Sequence, residues 1–255
     1  MSLFDRFQRP RRSGYIFVAG PKADPRFHAA KEGDTIRNAS REAPWIVVEH
    51  ALGGVLVTDW PGTLWEAEVV DALEPQDHTG DYTRCIAVRL GRKLPVHTLF
   101  GPHGEGVAWV ADRARNLTED EADRLSEHRA PEAGRLYSKA WLGWKGLSPS
   151  KREFTDWEGV IGAGGEPPVS PVGRGLSAVF NCVTTRAFEL FGTDAMYAED
   201  TEAEDPDLHL VEPWATASLA LCEAAMALGA PELLPPDDRA ILTEAWRALT
   251  GPGLS

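Results

Sequence analysis

Two hydrophobic patterns divide this chain, and they do not intermix. Up to about residue 100 the apolar residues come in short β-branched runs; beyond it they recur every three or four residues. A parallel sheet needs a crossover, usually a helix, between successive strands, so strands followed by helices argue against an alternating α/β fold. The expected fold class is α+β. It comprises an N-terminal antiparallel β-meander or small barrel over 1–104, with a basic N-terminal segment, then a mainly α-helical bundle over 105–255, either packed together or loosely separate.

The strand-like runs are Tyr15–Ala19, Trp45–Glu49, Val55–Trp60, Thr63–Ala72 and Tyr82–Leu90. Gly53-Gly54 is a favoured two-residue hairpin turn, and Pro61-Gly62 marks another. In the fourth run Leu64, Glu66 and Glu68 alternate with Trp65, Ala67 and Val69, as a half-buried strand requires. Residues 20–44 read as polar and irregular.

The helical half carries sharper punctuation. Val107, Val110, Ala111 and Ala114 share a helical face. Thr118-Glu119-Asp120-Glu121 is a capping box, so a helix starts after Thr118. Pro131 suits the first residue of a helix ending near Gly146. Residues 147–175, rich in Gly, Pro and Ser, read as a loop or interdomain crossing, including the tempting but wrongly spaced Gly159-Val-Ile-Gly162-Ala-Gly164-Gly165. Leu176, Val179, Phe180, Val183, Ala187, Phe188 and Phe191 form the next stripe, closed by Gly192. The segment 213–228 is apolar on nearly all sides, which marks a central buried helix. A last helix is expected from Pro236 to the Gly251-Pro252 stop.

Composition excludes several classes. Charged residues make up 25% and hydrophobic ones 43%, as in a globular chain. The three cysteines, Cys85, Cys182 and Cys222, are odd in number and lack a CxxC pair, which rules out a disulfide framework and leaves a zinc ribbon unsupported. They read as small buried hydrophobes of a reducing compartment, and the expected location is cytoplasmic. The first twelve residues lack the apolar stretch of a secretory signal, and no run reaches the ~20 apolar residues of a membrane span. Met1–Arg12, with Leu3, Phe4 and Phe7 beside Arg6, Arg9, Arg11 and Arg12, is too short for a firm amphipathic anchor.

The net charge of −13 opposes binding to nucleic acid, which is driven by cations displacing counterions. The charge is uneven: residues 1–41 carry +5, and the remainder −18. Glu199, Asp200, Glu202, Glu204, Asp205 and Asp207 stand in one short stretch without a Lys or Arg. They read either as a solvated loop or as a docking surface for a basic protein partner. The nine tryptophans are an excess that supplies anchors for cores or interfaces.

One stretch is dense in potential chemistry: His97-Thr-Leu-Phe-Gly101-Pro-His103-Gly104-Glu105-Gly106. Glycines just before a helix place free N–H groups and the positive dipole end where an anion could sit, with His103 as a further donor. His103 and Glu105 with a distant His209 or His128 would form a two-His, one-carboxylate metal site, but the flanking glycines suit that poorly. The plain alternative is a strand-to-helix turn with a left-handed glycine, Gly104. Asp205-Pro-Asp207-Leu-His209 lacks the spacing of a calcium loop. No serine stands in a nucleophile elbow. No cofactor is implied.

The sequence thus leads to two expectations. The first is a binding or regulatory protein acting through protein–protein contacts by an acidic, Trp-rich surface. The alternative is a small-molecule enzyme with a site near His97, His103 and Glu105, taking a phosphate or a metal. Assembly into a homo-oligomer stays open.

Overall fold

The computed structural model describes residues 13–20, 24–73, 82–144, 171–198 and 208–251. The chain forms two compact units, 1–57 with 61–99 and 58–60 with 100–255. The fold is α+β: an antiparallel, closed sheet followed by helices.

The first unit contains β1 (Ser13–Ala19), the single turn α1 (Pro25–His28), β2 (Thr35–Arg37), β3 (Ile46–Glu49), β4 (Gly62–Ala72) and β5 (Tyr82–Leu94). β1 pairs along β4 from Ser13 opposite Glu68 to Ala19 opposite Gly62. β4 pairs with β5, β5 with β3, and β3 returns to β1 at Tyr15 opposite Glu49. Four strands thereby close a small barrel, and short β2 adds to β5 at Thr35 opposite Arg89. Closure leaves these four strands few free edges.

The barrel core follows the two-residue period. Ile46 and Val48 point inward while Val47 between them is exposed. Ile16, Trp65, Ala67, Val88 and Leu90 join the same cluster. The period slips between Cys85 and Val88, where the β4–β5 register shifts around Asp71. Such a bulge bends a strand and tightens its twist, as closing so small a barrel demands. Gly14 makes the closure sterically feasible, because a Cβ there would lie 2.1 Å from the carbonyl oxygen of Glu49.

Two expectations fail in this unit. The run Val55–Trp60 forms no strand, and Gly53-Gly54 ends a 3-10 turn, Leu52–Gly54, rather than turning a hairpin. β1 already occupies the edge of β4 that this run would have needed, so Val55 and Val57 are buried without entering the sheet. Of the two expected forms, meander or small barrel, the sheet takes the barrel, with order β2-β5-β3-β1-β4. The supposedly irregular stretch 20–44 supplies α1 and β2, whose three residues are too few to show a period.

The second unit contains α2 (Gly104–Arg115), α3 (Glu119–Glu127), α4 (Ala133–Trp144), α5 (Pro171–Phe191), the strands β6 (Met196–Ala198) and β7 (Leu208–Leu210), then α6 (Trp214–Gly229), α7 (Pro236–Leu242) and α8 (Glu244–Thr250). The capping box forms as read: Thr118 Oγ1 accepts from the Glu121 N–H, and the Glu121 side chain accepts from the Thr118 N–H. α6 lies at the centre, buried on nearly every side, and packs against α2, α3, α4, α5, α7 and α8. Small residues allow this crowding. Val107 of α2 sits where Cβ atoms on Gly175 and Gly229 would come within 2.5 and 2.6 Å of its methyl groups.

Some boundaries move. α4 starts at Ala133 rather than Pro131, and α5 begins at Pro171, inside the expected loop. The glycine-rich stretch 159–165 lies outside the described residues. The single last helix divides at Thr243, whose hydroxyl donates back to the Arg239 carbonyl at 2.8 Å. Such back-bonding competes with the helical ladder and bends the chain. Among the described residues, no helix is long and apolar enough to cross a membrane.

Candidate functional site

The stretch expected to carry chemistry straddles the two units. His97 lies in a 3-10 helix, Val96–Phe100, at the end of the barrel unit, and Gly101, His103, Gly104 and Glu105 belong to the helical unit. Gly101, not Gly104, takes the left-handed backbone, with φ +93°. The reason lies in the turn: the Gly104 N–H bonds back to the Gly101 carbonyl at 3.1 Å, and the Gly106 N–H to that of His103 at 3.2 Å. Two of the amides an anion would need are therefore already used. Glu105 supplies a negative charge to the first turn of α2, which itself answers the helix dipole. The imidazole of His103 is half exposed, and its Nε2 lies 3.6 Å from Glu232.

Gly101 yields a direct test of this turn. Gly101→Ala is expected to destabilise the protein by about 1 kcal/mol or more in urea unfolding, because an L side chain is strained at that φ. Its Cβ would also press on Pro171 at 3.2 Å. Gly104→Ala carries no such backbone cost.

The three cysteines are buried and free. Burial pushes the thiols of Cys85 and Cys182 up to about 12, and that of Cys222 higher, so none stands as a thiolate nucleophile near neutral pH. Among the described residues, no three His, Cys, Asp or Glu side chains come together to hold a metal ion. Glu199, Asp200, Glu202, Glu204, Asp205 and Asp207 lie outside the described residues. His209 is on β7, with its ring 5.6 Å from that of Tyr197.

Seven of the nine tryptophans have a described burial. Trp60, Trp65, Trp141, Trp214 and Trp246 are buried, and Trp45 and Trp109 are half-buried. They serve as core anchors. The Trp60 indole N–H, for example, donates to Asp112 at 2.6 Å, and its ring lies 5.3 Å from Phe100.

The exposed apolar side chains stand elsewhere. Phe188 is 51% exposed at the end of α5, Tyr197 is 52% exposed on β6, and Leu208 is 61% exposed on β7. Leu190 and Phe191 are also exposed. β6 and β7 form an antiparallel pair, with Tyr197 opposite His209 and Ala198 opposite Leu208. The connection between these two strands is the acidic stretch itself, 199–207. The residue periods do not mark this region, because two strands of three residues are too short to show alternation.

The barrel unit also carries a groove of about 370 Å³, lined by Tyr15, His50, Glu66, Glu68 and Arg89. The alternation of Glu66 and Glu68 was the legible signal for a polar face here. Both carboxylates are taken up by guanidinium groups, Glu68 by Arg89 at 3.2 Å and Glu66 by Arg92 at 2.8 Å. His50 is held 2.7 Å from the hydroxyl of Thr83.

No family model matches the chain, and neither a curated protein nor a solved structure does.

Proposed function

We propose that this chain is a protein-binding module, and that its contact surface comprises the end of α5 and the β6–β7 hairpin. One observation carries the reading: Phe188, Tyr197 and Leu208, each at least half exposed, flank a connection holding six carboxylates and no cation. Single exposed apolar residues need no explanation. Several large ones within twenty-one residues, next to a block of one charge, fit a surface with apolar anchors and electrostatic steering. The partner this chemistry fits is a basic protein segment with apolar side chains between its cations. The phosphate-binding alternative at Gly101–Glu105 is less favoured, since two amides there are spent within the turn.

The test is comparative capture from a cell extract. One variant removes the anchors, Tyr197→Ala with Leu208→Ala. A second removes charge: Glu199→Gln, Asp200→Asn, Glu202→Gln and Glu204→Gln. A protein retained by the native chain is expected to be lost by the first variant. With the second it should associate more slowly, with a flatter dependence on salt. Unfolding curves of the first variant should hardly move, because Tyr197 and Leu208 are exposed and exposed side chains contribute little to stability. Retention that is equal across the native chain and both variants overturns the proposal.

A further inference from the structure

The helical unit holds a second feature, independent of the hairpin. A cavity of about 330 Å³ lies between the last turn of α6 and the pair α7–α8, lined among others by Leu228, Arg239, Ala240, Thr243, Trp246 and Arg247. Its size is at the lower end for small-molecule sites.

Its lining carries two guanidinium groups. Several other guanidinium groups here find carboxylates: Arg37 with Asp71, Arg89 with Glu68, Arg115 with Glu189, Arg129 with Glu223. Arg239 and Arg247, both half-buried, meet no carboxylate among the described residues, in a chain of net charge −13. The lining contains no acidic side chain. Asp238, the neighbour of Arg239, is engaged by Lys139 at 3.2 Å.

Among the described residues, two buried donors near this cavity also lack acceptors. The Nε of Arg239 and the indole Nε1 of Trp246 are both out of water and without a hydrogen-bond partner. Trp246 is 1% exposed, and its ring is fixed edge-to-face against Trp109 at 5.0 Å. Unpartnered buried donors are costly and uncommon. Arg247 is already positioned: its Nε donates to Thr243 Oγ1 at 3.0 Å and its Nη2 to the Ala240 carbonyl at 2.8 Å. A group held in place before binding loses less entropy on binding.

Two guanidinium groups that meet no carboxylate, side by side at one cavity, call for an acceptor that carries negative charge. The remaining wall is apolar, made by Leu228, Ala240 and the faces of Trp246 and Pro236. We propose that this cavity binds a small organic carboxylate with an apolar body. The carboxylate lies between Arg239 and Arg247, and the apolar body against Leu228 and the indole.

The probe is benzoate, titrated into the full chain and followed by the ¹⁵N–¹H resonance of the Trp246 indole, assigned by Trp246→Phe. A saturable shift of that resonance is expected. Arg239→Gln should weaken binding by about tenfold or more, the usual worth of a charge-assisted hydrogen bond. Benzamide, the neutral isostere, should leave the resonance in place, and inorganic phosphate should bind more weakly than benzoate. If Arg239→Gln loses its native spectrum, Arg239→Lys replaces it and is likewise expected to weaken binding, since a point charge cannot fork to two oxygens. Any one of four results overturns the proposal: no saturable shift, an equal shift with benzamide, phosphate binding as tight as benzoate, or unchanged benzoate affinity in the folded arginine variant.

Discussion

Arg129→Met is expected to destabilise the helical unit by about 3–5 kcal/mol near neutral pH, and to recover part of that loss on acidification. The cause is a buried ion pair. Arg129 donates from Nε to both oxygens of Glu223, at 3.1 and 3.0 Å, and from Nη2 to Oε1 at 2.5 Å. Glu223 is 3% exposed on the central helix α6. Without the guanidinium its carboxylate would be left buried and uncompensated, whereas exposed pairs such as Arg89–Glu68 contribute little.

The pH dependence follows from the direction of the shift. Burial raises the proton affinity of Glu223 above the ordinary carboxylate range, and Arg129 opposes that without cancelling it. The folded state therefore holds the Glu223 proton more tightly than the unfolded state does. The stability contributed by that proton is present below the unfolded pKa and is lost as pH rises through the higher folded one. Removing Arg129 removes the opposing influence, so the folded value climbs further and the window of loss extends upward. The gap between native chain and variant should thus narrow between about pH 8 and about pH 5. Urea unfolding at both pH values measures it, and a constant gap would refute the account.

Trp214→Ala is expected to cost about 3–5 kcal/mol, the range for truncating a large buried aromatic. Trp214 is 1% exposed at the start of α6, and its ring lies 5.9 Å from that of Phe191. Truncation leaves a void at the point where α6 enters the core, and the surrounding helices can close it only in part. Phe188→Ala, three residues before Phe191 but 51% exposed, should change stability by no more than about 0.5 kcal/mol. Chemical unfolding of both variants separates an aromatic that holds the fold from one that is free to contact a partner. Equal losses at the two positions would contradict both assignments.

Much of this architecture was legible in residue order. Alternation at 64–69 and the β-branched run 46–48 mark strands because side chains on a strand change face at every residue. Thr118 and Glu121 mark a helix start because each satisfies a donor the helix leaves free. The segment 213–228, apolar on nearly all sides, marks a helix surrounded by others. These are local statements, and local chemistry suffices for them.

What lies between distant residues was not legible. The run 55–57 has the composition of a strand, yet it has no place in the sheet, because β1 takes that edge of β4 from some fifty positions earlier. Arg129 and Glu223 stand 94 residues apart, and nothing near either one marks the other. The tryptophan count could not separate anchors of a core from anchors of an interface, since both uses rest on the same apolar area.

The sequence by itself determined the class of fold, the type of most elements and the charge of the 199–207 connection, since period, capping and formal charge are properties of near neighbours. Only the tertiary structure decided that the sheet closes, that most of the described tryptophans turn inward, and that Arg239, Arg247 and Trp246 line one cavity. Those outcomes depend on which surfaces meet once the chain is compact, and burial there is settled by packing among residues that the sequence holds far apart.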